Sequence, residues 1–150
     1  MNLFLDTSGL IKLYHKERGS QALFQFLQEN RSEMLIAVSA IGTVEFHSTI
    51  FKLVRVKELE PAEASRARGL FNADLGKCSR IQIDERVLSQ AVELLEGYGS
   101  TISLRTLDAL QISSAIVFQK QSPIDFFISS DTNQLTVARH FFPTLNPLKM

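Results

Sequence analysis

One cysteine, four prolines and seven glycines in 150 residues leave little material for stapling or breaking this chain. The lone thiol, Cys78, excludes an internal disulfide framework and a cysteine-built zinc site, which points to a reducing compartment. No run of Ser, Gly and Pro marks a linker, and there is no low-complexity tract or fixed repeat. Nothing therefore divides the chain, and its length suits a single domain over residues 1–150. Neither sign of charge is in excess: 16 basic side chains stand against 16 acidic ones, and division after Asp74 gives nine against nine, then seven against seven. That balance excludes a nucleic-acid binder that works through bulk charge, while leaving room for a local basic groove. Long hydrophobic runs are missing as well. The longest apolar-rich stretch, Met34 to Val44, is too short to span a bilayer, and the amino terminus meets Asp6 after three apolar residues. A soluble, cytoplasmic protein is expected, and 45% apolar with 21% charged residues describes a chain with a packed core.

What is present alternates. Short runs rich in Leu, Ile, Val and Phe are separated by longer stretches of helical period, the pattern of parallel strands joined by helical crossovers, so the fold class is α/β. Leu3–Leu5 reads as a buried strand followed by capping chemistry at Asp6-Thr7-Ser8. Met34–Val38 reads as a second strand running into Ser39, which is placed to cap a long helix carrying Ile41, Val44, Ile50 and Leu53. Pro61 restarts a helix after Glu60. Arg80–Ile83 is a third strand, and Asp84 caps a helix expected to bury Val87, Leu88, Ala91, Val92, Leu94 and Leu95 before Gly97 and Gly99 end it. Thr106 is expected to cap a further helix, and Phe126–Ile128 forms a fourth strand leading to Asp131.

In that layout four carboxylates fall at equivalent places. Asp6 and Asp131 follow strands, Asp108 lies in the first turn of a helix, and Glu45 lies about two turns into another. The carboxyl ends of parallel strands and the amino ends of the following helices share one edge, where ligands bind at the point of reversed strand order. Two carboxylates about 4 Å apart repel by roughly 1 kcal/mol in water and about 4 at an effective dielectric of 20, so four together need a cation. Oxygen-only ligation selects a hard ion, Mg²⁺ or Mn²⁺, the usual device for hydrolysing phosphodiesters. Mutual repulsion further predicts that Asp108→Asn raises the stability of the metal-free protein. Taken singly, Asp6, Asp108 and Asp131 each also suit a helix-terminal acid. Glu45 differs, because it sits between Val44 and Phe46 on a mainly apolar helix.

The segments Leu3-Phe4-Leu5-Asp6-Thr7-Ser8, Ser39 to Phe46, Leu104 to Ala115 with its Leu107-Asp108-Ala109-Leu110 core, and Phe127-Ile128-Ser129-Ser130-Asp131 resemble the PIN domain family nearly end to end. Within it the likeness is to VapC-type toxins, small ribonucleases of bacterial and archaeal toxin–antitoxin pairs. The resemblance implies a three-layer α/β/α fold with a central parallel sheet of four to five strands, the first and fourth adjacent. It implies that Asp6, Glu45, Asp108 and Asp131 hold one or two Mg²⁺ or Mn²⁺ ions, that Ser8 is the hydroxyl beside the first acid, and that Asn133 supports the site. It also implies an RNA substrate and a cognate antitoxin, and it is compatible with a homodimer. The polar Thr132-Asn133-Gln134 departs from the basic residues many relatives carry there. Rival readings are a phosphatase-like phosphoryl hydrolase, which would want a second Asp where Ser8 stands, and a silent PIN-fold binding module.

Among other candidates, Lys12 and Lys16 form an i,i+4 row leading from Asp6 and are expected to meet RNA phosphates. Arg105, three before Asp108, either pairs with that carboxylate or reaches phosphate. Lys52, Arg55 and Lys57 suit a solvated face equally well. Asp125 lies roughly 20 Å from Asp131 along the strand, and Asp84 reads as a cap. His15, His47 and His140 have no metal-pair spacing, and most of the 11 Phe are core, with Phe46-His47 nearest the site.

Overall fold

Leu3, Phe4 and Leu5 are all buried, which happens only when both faces of a strand are covered. In the computed structural model, which describes all 150 residues, they lie in β1 (Asn2–Leu5), the middle of a five-stranded sheet. The other strands are β2 (Leu35–Ser39), β3 (Ser79–Ile81), β4 (Phe126–Ile128) and β5 (Thr144–Leu145). Every pairing is parallel, in the order β3-β2-β1-β4-β5.

The two-residue period of the strands sorts side chains onto two cores. Phe4, Ala37 and Phe127 point to one face, where α5 (Glu85–Tyr98), α6 (Thr106–Gln119) and α7 (Thr132–Ala138) supply Ala91, Leu94, Ile112, Ala115 and Leu135. The Phe4 and Phe127 rings stack across the strand pair at 5.4 Å. Leu3, Leu5, Val38 and Ile128 point the other way. There α1 (Thr7–Ile11), α2 (Ser20–Glu29), α3 (Ala40–Arg55) and α4 (Pro61–Leu75) bring Leu10, Leu23, Phe46, Ile50 and Phe71. The result is the expected three-layer α/β/α arrangement, with strand order reversing between β1 and β4.

Several local expectations are corrected. Ser39 sits at the N-cap of α3 but makes no side-chain cap; its hydroxyl pairs with that of Ser114 at 2.8 Å, tying β2 to α6. Val44 is 63% exposed, and Leu88 and Val92 face solvent too. Each lies on the outer side of a helix that has a single sheet face to cover. The N-cap of α6 is Arg105, not Thr106, and α5 runs through Gly97 to Tyr98. Phe46 is fully buried, with its ring 4.0 Å from that of Phe71, so it belongs to the core.

Candidate active site

Register brings the ends of β1 and β4 together. Leu5 pairs with Ile128, and the Asp6 N–H continues the ladder to the Ile128 carbonyl at 3.1 Å. The first turn of α1 then crosses β4 so closely that a Cβ at Gly9 would stand 3.0 Å from that carbonyl. Glycine permits the approach, and its N–H donates to Asp6 Oδ1 at 2.8 Å.

Asp6 is thereby the N-cap of α1 and is buried. The Ser8 hydroxyl donates to it at 2.8 Å, and the Ser129 hydroxyl reaches Oδ2 at 2.8 Å. Ser8 Oγ in turn accepts the Ser130 N–H at 2.7 Å. Desolvation pushes the Asp6 carboxyl up to about 6; the hydrogen bonds from Gly9, Ser8 and Ser129 oppose the shift, and Glu45 adds a lesser upward push.

Glu45 reaches the same place from α3. Its Oε2 accepts from Thr7 Oγ1 at 2.8 Å and from Gln111 Nε2 at 2.6 Å, and Gln111 also donates to Thr7 Oγ1 at 2.9 Å. Gly42, one turn before Glu45, leaves room for this network, since a Cβ there would stand 3.2 Å from Gln111 Nε2. Sequence reasoning gave Thr7 only a part in helix capping and Gln111 no part in the site. The signal was available: Gln111 is three residues after Asp108 and so shares its helical face.

Asp108 and Asp131 share one arginine. Arg105 Nε donates to Asp108 Oδ2 at 2.9 Å, and its Nη2 reaches Asp108 Oδ1 at 3.1 Å and Asp131 Oδ2 at 3.0 Å. The arginine is accordingly paired, rather than free for phosphate. Asp131 caps α7 by accepting the Gln134 N–H at 3.0 Å, and Gln134 Oε1 stands 2.7 Å from Ser129 Oγ as a second acceptor for the one hydroxyl proton that Asp6 also draws. Asn133, expected beside the site, is instead exposed. At the third helical position Gln134 turns back toward the cap, whereas its predecessor is rotated by about 100° into solvent.

All four acids line one hollow of about 310 Å³ together with Thr7, Ser8, Arg105, Gln111 and Gln134. Its donor set is oxygen-rich and it contains no histidine or cysteine. Gln111 Oε1 is buried there without a hydrogen-bond donor. Carboxylates plus an orphaned amide oxygen suit a hard divalent cation. No three acidic, histidine or cysteine side chains are drawn to metal-ligating closeness, however. The expectation of unrelieved repulsion at Asp108 is also corrected, because Arg105 neutralises that carboxylate, so Asp108→Asn removes an attraction.

The remaining candidates lie elsewhere. Lys12 is buried, with its ammonium engaged by Glu17, and Lys16 is exposed outside the acidic hollow. Asp125 accepts the Asn2 N–H at 2.6 Å at the opposite sheet end, and Asp84 caps α5 while pairing with Arg86. His47 packs edge-on against Phe46 and Phe71, and His140 stacks on Tyr98. Burial pushes the Cys78 thiol up, away from reactivity. A larger, apolar hollow of about 400 Å³ lies between α1, α2 and α4 and contains none of the four acids. No helix is long and apolar enough to cross a membrane.

A protein-family model described as PIN domain matches residues 3–140. Comparison with curated proteins yields no match. Among solved structures, the chain is similar to the toxin–antitoxin complex from Klebsiella pneumoniae, at 18% identity and a TM-score of 0.65 over 97% of each chain. It is similar to VapBC2 from Rickettsia felis, bound to a DNA fragment from their promoter, at 16% identity and 0.64 over 97% of this chain and 98% of that one. It is similar also to the sarcin–ricin loop cleaving toxin VapC20 from Mycobacterium tuberculosis, at 17% identity and 0.62 over 89% and 93%. At such identities the likeness is one of fold.

Proposed function

The chain belongs to the PIN domain family, and from that membership we propose that it is a metal-dependent endoribonuclease, the toxin of a type II toxin–antitoxin pair acting in the cytoplasm as one domain over residues 1–150. The observation that carries this is the acidic hollow at the β1/β4 switch point, which carboxylates from four separate elements line with no histidine and no cysteine nucleophile among them.

In this reading Asp6, Asp108 and Asp131 hold Mg²⁺ or Mn²⁺, and Glu45 either joins them or orients the attacking water. When bound, the cation lowers the pKa of that water and stabilises charge on the phosphate oxygens. The chain's own part is positioning. Ser8 and Ser129 fix the Asp6 carboxylate, Thr7 and Gln111 fix that of Glu45, and the helix caps of α6 and α7 fix Asp108 and Asp131. The antitoxin is proposed as an inhibitory partner that covers the acidic edge and presents a basic side chain to it. The fold likeness to chains from toxin–antitoxin complexes supports that partner.

The test is cleavage of RNA by the purified chain. We expect activity that EDTA abolishes and Mn²⁺ or Mg²⁺ restores, with products bearing 5′-phosphate and 3′-hydroxyl ends. Undiminished cleavage in excess chelator, or cyclic-phosphate ends that report attack by the 2′-hydroxyl, would overturn the reading. A phosphatase-like enzyme would leave RNA intact and release phosphate from monoesters.

A further inference from the structure

Beside the carboxylates of the acidic hollow stands a cation that belongs to the chain itself. Arg105 holds the N-cap position of α6, and although its side chain is 71% exposed the guanidinium turns inward. A single nitrogen, Nη2, bridges Asp108 Oδ1 and Asp131 Oδ2. The other oxygens are already committed to helix ends: Asp108 Oδ2 accepts the Arg105 backbone N–H at 3.0 Å, and Asp131 Oδ1 accepts that of Gln134. The two oxygens not engaged in capping are therefore the two on which Nη2 converges.

We propose that Arg105 is the resident counter-ion of this site, which a divalent cation has to displace from Asp108 and Asp131, so that the arginine sets how tightly the metal is held. The inference rests on the metal-dependent reading above. A small hard cation draws carboxylate oxygens to about 2.0–2.1 Å. A guanidinium nitrogen hydrogen-bonded to the same two oxygens would stand within a few ångströms of that ion, charge against like charge. The two occupants exclude each other. Departure of the arginine requires no backbone movement, because its side chain is largely in solvent and the Asp108 cap uses the Arg105 main-chain N–H. Guanidinium stays protonated at all relevant pH, so ion concentration governs the exchange. Glu45 also borders the hollow and adds to the field that holds Arg105 inward, while Glu17, which borders it too, is engaged by Lys12.

The test measures Mn²⁺ binding to the metal-free full chain at low ionic strength, from the spin-resonance signal of the free ion, alongside thermal melts in EDTA. Wild type is compared with Arg105→Met and Arg105→Lys. The Met variant is expected to bind Mn²⁺ about tenfold more tightly while melting lower in EDTA. The Lys variant keeps the charge without the fork and should fall between. If the Met variant does not fold, the Lys variant carries the comparison. Mn²⁺ bound by the wild type but no more tightly by the variants would overturn this inference and leave the metal-dependent reading standing. Failure of all three proteins to bind millimolar Mn²⁺ would overturn that reading, and this inference with it.

Discussion

Asp6→Asn should stabilise the metal-free protein, and by an amount that depends on pH. The carboxyl is buried and its pKa rises from 3.8 to about 6, chiefly through desolvation. A raised folded-state pKa means that the native state binds the proton more tightly than the unfolded chain does. Ionisation therefore costs stability, fully above pH 6, progressively less between 6 and 4, and not at all below both values. A rise from 3.8 to about 6 corresponds to roughly 3 kcal/mol at pH 8. By pH 4.5 about one third of that remains. Asparagine removes the charge at nearly constant volume and is an equally good N-cap. Its Oδ1 keeps the Gly9 and Ser8 donors, while its Nδ2 donates to Ser129 Oγ, whose own proton can then go to Gln134 Oε1 at 2.7 Å. For a domain of this length, 3 kcal/mol is about 6 to 12 °C in melting temperature, which is the ceiling for pH 8. The assay is a pair of thermal melts in EDTA at pH 8 and pH 4.5. A difference that does not shrink with acidification, or an Asn variant that melts below wild type at pH 8, would refute the argument. Mn²⁺ should then stabilise the wild type and leave the variant nearly unmoved.

The same substitution at Asp108 should have the opposite sign in EDTA, since it releases Arg105; a fall of about 1 kcal/mol, or 2 to 4 °C, is expected because the arginine is largely exposed. Gln111→Leu should leave denaturant stability within about 1 kcal/mol, because an orphaned buried oxygen departs with the lost donors. It should nevertheless slow RNA cleavage by about tenfold or more, as Glu45 loses a restraint, and an unchanged single-turnover rate would remove Gln111 from the site. Lys12→Met should cost about 1 kcal/mol of stability, since it strands a Glu17 that can still turn to water. RNA cleavage should persist in that variant, and a loss of RNA binding at unchanged melting temperature would restore the phosphate-contact role.

Much of the fold could be read from the chain because strand and helix periods are local. The all-buried Leu3–Leu5 run, the caps at Asp6 and Asp84, and Pro61 at the head of a helix follow from near neighbours alone, and each stands where expected. The errors share a cause as well. Val44, Leu88 and Val92 continue an apolar pattern, but a helix lying on one face of a sheet covers only one side, and which residues stay outside depends on how the helix is rolled. Ser39 was placed as a cap from its position, yet its hydroxyl found a closer partner in Ser114, 75 residues away.

The candidate site divides along the same line. Residue chemistry and the order of elements brought Asp6, Asp108 and Asp131, with Glu45 two turns into its helix, to one edge, because a parallel sheet delivers strand ends there whatever the details of packing, and the family resemblance implied their shared role. What the acids do to one another was decided by tertiary structure. Contacts such as Arg105 to Asp131, Gln111 to Glu45 and Ser129 to Asp6 join positions 26, 66 and 123 residues apart. Burial left Asp6 a desolvated charge, while Arg105 paired its near neighbour Asp108 and reached on to Asp131, two opposite states that the sequence presents as the same residue at the start of a helix. Linear spacing offered the pair of Arg105 with Asp108, but not the reach of that arginine to Asp131, nor how much water each carboxylate keeps. Those distances and that burial set the electrostatics.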